Sequence, residues 1–230
     1  MLVRLLPLLA GLVPLLAAYL AFAIGVRADV LPACVPFIDG CASISAAGRN
    51  PPGSFLFRAI MLPQSIVLLM TWYFAVTWIR ALDGSADRST MSGIHVSGTV
   101  SAMALILYVT FLGTTEPFYE FMRRFGIYLF FLGMAVSEIL VAVALLKAPP
   151  VLRSARLKRI ALLMLTLCLL PFALGLLNLY LKATLVNADV SENVIEWIAA
   201  TLMHCYLIAM YFMWRISGFS LSVTTVLKSD

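Results

Sequence analysis

Apolar positions along this chain arrive in blocks rather than in stripes. Runs of about 20 residues with almost no charge, long enough as helices to cross a hydrocarbon core of roughly 30 Å, fall near residues 5–25, 58–79, 96–114, 126–146, 159–181 and 195–214. They lack the short alternation of a membrane barrel, and in lipid each segment must satisfy its own backbone groups, so helices are expected. The pattern predicts an all-α fold: a polytopic membrane protein whose six transmembrane helices form one bundle, a single domain over residues 1–230 with a structured loop over 26–57. The first run, with Ala21-Phe22-Ala23 near its end, has features of a secretory signal and its cleavage site. Its apolar stretch exceeds a signal core, and it is read as a retained first helix.

Composition agrees. The chain is 63% hydrophobic and 12% charged, against about a quarter charged in a soluble domain, and its mean hydropathy is +1.02. Charge then orients it, because cytoplasmic loops retain Lys and Arg. With the N-terminus inside, Arg4, Arg80, Arg88, Lys147, Arg153, Arg156, Lys158, Arg159, Arg215 and Lys228 lie on the cytoplasmic side, and five of them sit in one short loop, KAPPVLRSARLKR. Asp29, Asp39, Glu116, Glu120, Asp189, Glu192 and Glu196 fall on the other side. Both termini are expected in the cytoplasm.

That places the segment CVPFIDGCASISAAGRNPPGSFLF, residues 34–57, in the first outer loop. Cys34 and Cys41 meet oxidising conditions there, and their spacing suits a small disulfide ring. Pro51-Pro52-Gly53 and Gly48 supply turns. Phe37, Ile38, Ile44, Phe55, Leu56 and Phe57 are too apolar for a free tether, so the loop is expected to fold onto the helix ends or the lipid surface. Cys168 and Cys205 lie within spans and read as small buried apolar residues.

These residues resemble a known family. Ser43-Ile44-Ser45, Gly48, Pro51-Pro52 and Phe57-Arg58 resemble the first-loop signature of the damage-regulated autophagy modulator (DRAM) proteins and their relatives in GPI-anchor lipid remodelling. Glu196-Trp197 at the start of the last span and Gly126 at the start of the fourth are similar to that family too. Several relatives carry a histidine just before this glycine; here the stretch is Arg123-Arg124-Phe125-Gly126, so no role of that histidine carries over. The resemblance implies a six-helix protein concerned with lipids or membrane trafficking.

The residues themselves point the same way. Strongly polar side chains within spans are costly and by default functional. Arg58 and Gln64, Thr114 and Glu116, Asn178, and Glu196 with Trp197 all fall near the outer ends of their helices. Beneath the loop, with Ser45, they are expected to form a lipid-headgroup pocket, Arg58 meeting a phosphate and Glu196 pairing with Arg58 or a headgroup amine. Glu196 and His204 are eight residues apart, about 12 Å along one helix face. The bland alternative is that helix ends tolerate polar residues and that Trp belongs to the interfacial belt. Glu138 lies deep in the fourth span. Either it keeps its proton, or it faces the bundle and bonds His95, His204 or a backbone group, with Gly133 and Ser137 beside it allowing close helix approach. Gly93, Ser97 and Ser101 form a second small stripe for packing.

Catalytic templates are absent. Two histidines on different helices make no metal site at a recognised spacing, there is no nucleophile-elbow or phosphate-cradling loop, and Ser43 and Ser45 suit turn capping. No cofactor is expected, nor nucleic acid, since the net charge of +5 sits in membrane-flanking loops. The expected partners are membrane lipids and a further membrane protein. The primary expectation is a non-catalytic protein that binds a headgroup at the outer leaflet and influences lipid distribution, remodelling or trafficking. The alternatives are a lipid-modifying enzyme with Glu196, His204 and loop serines near the chemistry, and a small transporter using Glu138. A bacterial source would put the chain in the plasma membrane, and a eukaryotic one in the Golgi, lysosome or ER.

Overall fold

The computed structural model describes residues 2–185 and 187–221; Lys228, counted in the charge argument, lies outside them. A 3-10 turn, Leu2–Arg4, leads into α1 (Leu5–Arg27). Two short helices in the first loop, α2 (Pro36–Asp39) and α3 (Ile44–Ala47), precede α4 (Gly53–Leu82) and α5 (Arg88–Phe111). Then come α6 (Pro117–Lys147), the short α7 (Pro149–Arg153), α8 (Ala155–Thr184) and α9 (Asp189–Ile216). Six of these helices are long and apolar enough to cross a membrane, and no strand occurs among the described residues.

The helices outrun the apolar blocks. Helix α6 begins at Pro117, nine residues before the block at 126, because hydropathy marks where the chain meets hydrocarbon whereas the helix itself starts at the proline of its first turn. Proline sits in the first turn of α6 and of α7, where its missing N–H has no intrahelical partner to lose. Ser154 caps α8 by accepting from the Leu157 amide.

Asp87 caps α5 by accepting from the Thr90 amide at 3.0 Å and from the Ser89 and Thr90 hydroxyls. These donors stabilise the charged form and hold its carboxyl down at about 2. A group depressed on folding stabilises the fold above its unfolded value, near 4, and loses that contribution as pH falls through its folded value. Asp87→Ala should therefore lower the melting temperature at pH 7, and the gap to the wild type should close as the pH falls from about 4 to about 2.

The six long helices close into a ring in which α1 packs on α4, α4 on α5, α5 on α6, α6 on α8, α8 on α9 and α9 back on α1. The α5–α6 seam is the tightest, and small residues make it so. A Cβ on Gly126 would fall 2.7 Å from the Tyr108 backbone nitrogen, and one on Gly133 would fall 2.7 Å from the Ser97 carbonyl oxygen. The Ser97 and Ser137 hydroxyls meet at 2.7 Å, so the two small stripes read separately from the sequence pack against each other. An even number of crossings brings the start of α1 and the end of α9 to one end of the bundle, where Arg4 donates to the Gly218 carbonyl at 3.0 Å.

Helix α8 is the exception to this close packing. Its buried residues are Leu157, Ala161, Met164 and Cys168, all in its first half. Beyond them, Pro171 supplies no N–H to the carbonyl four residues back, and a Cβ on Gly175 would meet nothing within 4 Å. The second half of α8 stands off from α6 and leaves a gap.

Candidate functional site

The loop between α1 and α4 is folded and anchored. Cys34 and Cys41 form a disulfide. Ser43 caps α3 by accepting from the Ala46 amide at 3.0 Å, the turn-capping role expected of it. Three residues one turn apart on α9, at i, i+3 and i+4, hold the loop from below: Asn193 donates to the Gly40 carbonyl at 2.8 Å, the Trp197 indole donates to the Ala42 carbonyl at 2.9 Å, and Glu196 accepts from the Ser45 amide at 3.3 Å. Gly40, at φ +57°, turns the chain so tightly against α9 that a Cβ there would lie 2.2 Å from the Val190 carbonyl oxygen. The Trp197 ring is fully buried against Tyr19, Phe22 and Phe37, with centroids 5.2, 6.1 and 5.6 Å away. Of the loop's apolar residues, Phe57 is buried at 1% exposure, whereas Ile38 and Phe55 point outward at 76% and 65%.

Beside this anchored loop, the gap between α6, α8 and α9 is a cavity of about 870 Å³. Its polar end carries Ser45 from the loop, Arg123 and Arg124 from α6, Asn178 and Lys182 from α8, and Glu192 and Glu196 from α9. Below, its wall is Ile127, Phe131, Leu132, Ala135, Phe172, Leu176 and Leu179. Glu138, Cys168 and Met203 lie at the far end. Arg124 to Glu138 spans 14 residues of α6 and Asn178 to Cys168 spans 10 of α8, so at 1.5 Å per residue the cavity runs about 15 to 21 Å down the bundle, roughly one leaflet of a hydrocarbon core.

The cavity unites some of the residues singled out from the sequence and excludes others. Ser45, Asn178 and Glu196 share its polar end. Arg58 does not pair with Glu196: its guanidinium donates to the Leu112 carbonyl, tying α4 to the end of α5. Gln64 is buried at 4% exposure and donates to the Leu9 carbonyl at 3.1 Å, a bond between α4 and α1. The Trp197 indole serves the loop, Thr114 donates back to the Phe111 carbonyl at 2.7 Å, and Glu116 is exposed at the start of α6. Depth along a helix is common to all these residues; the direction each one faces is not.

The intramembrane group also separates. Glu138 bonds neither histidine, and both of its carboxyl oxygens are buried without a partner; the contact from a neighbouring helix is to its main-chain carbonyl, from the Tyr206 hydroxyl at 2.6 Å. His204 Nδ1 lies 2.6 Å from the Ala200 carbonyl oxygen of its own helix. His95 is on the other side of the bundle, its ring 5.4 Å from that of Tyr73 in a smaller groove between α4 and α5. Cys168 is buried, as read, and Cys205 is half-buried.

Four charged cavity residues were not among the site candidates. Arg123, Arg124, Lys182 and Glu192 fall outside the apolar blocks at 126–146, 159–181 and 195–214, yet each lies within a helix. Arg123 and Arg124 meet Glu120 at 3.4 and 2.6 Å, and Lys182 meets Glu192 at 2.7 Å. Tyr108, whose hydroxyl lies 2.8 Å from Ser45 Oγ, carried no signal at all in an apolar run.

Comparison with curated proteins and with solved structures finds no match. A family model does match: that of the Frag1/DRAM/Sfk1/Cwh43P N-terminal domain, over residues 2–215. The match begins in the turn before α1 and ends one residue short of the end of α9, so it takes in the anchored loop and all the helices that line the cavity. This chain therefore belongs to the Frag1/DRAM/Sfk1/Cwh43P N-terminal domain family of multi-pass membrane proteins.

Proposed function

We propose that this protein binds a membrane lipid by its headgroup in the non-cytoplasmic leaflet, without catalysis of its own, and through that binding influences lipid distribution, remodelling or trafficking. The observation that carries the reading is the cavity between α6, α8 and α9: polar groups at one end, an apolar wall below, and a length of about one leaflet. An amphiphile has the same division. The cytoplasmic placement of both termini, argued from the Lys and Arg distribution, puts the polar end at the headgroup level of the outer leaflet.

The enzymatic alternative would use Ser45, which lines the same cavity. Glu196 engages the amide of that residue rather than its hydroxyl, and the hydroxyl meets the Tyr108 phenol. General-base activation needs a base at the nucleophile itself, and these contacts suit a latch between loop and helix better than an activated serine.

Lipid retained by the purified full-length protein, extracted and quantified by mass spectrometry, tests the reading. Wild-type protein should carry bound lipid after mild-detergent purification. Arg58→Ala should carry the same amount, because that guanidinium is committed to Leu112 outside the cavity, while its melting temperature should fall. Wild-type protein free of lipid would overturn the proposal.

A further inference from the structure

The polar groups around the cavity divide by whether they already have partners. Two of the cations are matched, Arg124 with Glu120 at 2.6 Å and Lys182 with Glu192 at 2.7 Å, whereas Arg123 reaches Glu120 only at 3.4 Å. The acceptors are not so matched. Asn178 Oδ1 is buried with no donor, and Glu196 meets a main-chain amide at the loop, that of Ser45 at 3.3 Å, with no ion pair to it among the described residues. Buried polar groups are ordinarily satisfied, and in a low-dielectric wall a bare acceptor is costly. The cavity therefore asks its occupant for N–H or O–H donors.

The position of these acceptors narrows the choice. Asn178 lies six residues before the end of α8 and Glu196 seven residues into α9, which sets both about 10 Å below the helix ends. Arg123 lies six residues into α6, and with 14% of its side chain exposed and the weaker share of Glu120, it is the cation available to an anion. A carboxylate facing a low-dielectric cavity is best matched by a hydrogen-bonding cation. Resting on the lipid-binding reading above, we propose that the cavity selects an aminophospholipid, its ammonium group donating to Glu196 and Asn178 and its phosphate accepting from Arg123. Phosphatidylcholine has the same charges but no N–H to donate. Phosphatidylglycerol offers hydroxyl donors but no cation, and leaves Glu196 unpaired.

The test uses the full chain reconstituted in vesicles of equal parts phosphatidylethanolamine, phosphatidylcholine and phosphatidylglycerol with matched acyl chains, extracted in mild detergent, the retained lipid being quantified by mass spectrometry. The wild type should retain phosphatidylethanolamine about ten-fold over phosphatidylcholine, the size of effect that one charge-assisted hydrogen bond supports. Stepwise N-methylation of the headgroup should erode that preference. The pair Asn178→Leu with Glu196→Gln should still retain lipid, but in the bulk ratio. Glutamine keeps an acceptor for the Ser45 amide, so the loop stays seated, and Asn178 is on the loosely packed half of α8. Lipid retained by the wild type in the bulk ratio, or a preference for phosphatidylglycerol, would overturn the selectivity while leaving lipid binding in place. No retained lipid would overturn both.

Discussion

Gly133→Leu is expected to abolish recovery of folded, monodisperse protein. The α5–α6 seam depends on the absence of a side chain there: even a Cβ would fall 2.7 Å from the Ser97 carbonyl oxygen and 3.0 Å from the Ser101 backbone nitrogen. Both are helical backbone and cannot swing aside as a flexible side chain would. Forcing α5 and α6 apart would also break the contact between the Ser97 and Ser137 hydroxyls and loosen Ser101, Ser137 and Met134, all nearly or fully buried in this seam. In a membrane, where apolar surface gains little by leaving lipid, helix association rests on this kind of close packing. A cost above about 3 kcal/mol is expected, the upper end for overpacking, and size-exclusion profiles of fluorescently tagged protein would reveal it. Gly84→Ala, in an open loop where an added Cβ meets nothing within 4 Å, should behave as the wild type in the same assay.

The opposite result is expected at Gly175, where Gly175→Trp should leave the fold intact and expel the bound lipid. This glycine lines the cavity on α8, and an added Cβ would again meet nothing within 4 Å. The position lines the apolar section of the cavity with Phe172, Leu176 and Leu179, so an indole grown from it takes up space the acyl chain would fill. Glycine is among the weakest residues in a helix interior, so its replacement does not weaken α8 itself. Retained lipid should fall about ten-fold or more, equivalent to roughly 1.4 kcal/mol or more of lost binding, with an unchanged size-exclusion profile. Two glycines in neighbouring helices thus differ in what surrounds them: one holds a seam shut and the other keeps a gap open.

These two residues also mark where the sequence stops being informative. The six crossings were legible because each needs about 20 uncharged residues, and nothing else in the chain imitates that. Helix ends were less legible: residues 117–125 are helical through the proline at the first turn and the pairs of Glu120 with Arg123 and Arg124 rather than through hydropathy. The small stripes at Gly93-Ser97-Ser101 and Gly133-Ser137 announced close packing but not that they pack on each other. Within the site, Ser45, Asn178 and Glu196 could be found because a polar residue near the end of an apolar run stands out. Arg58 and Gln64 stood out equally and face elsewhere. Position in the sequence fixes depth along a helix; azimuth comes from which neighbour each face meets. In helices apolar on nearly every side, no amphipathic stripe shows the azimuth in advance. Glu138 was conspicuous for its isolation, but the absence of any partner for its carboxyl group is a property of the cavity, which only the assembled bundle displays.

The account stands on a lipid occupying the gap between α6, α8 and α9, and the most direct measurement is electron cryomicroscopy of the full chain in a lipid nanodisc. It should show elongated density running from Asn178 and Glu196 down the wall toward Glu138, with its head beneath the disulfide loop. A closed seam between α6 and α8, or a gap without elongated density, would contradict it.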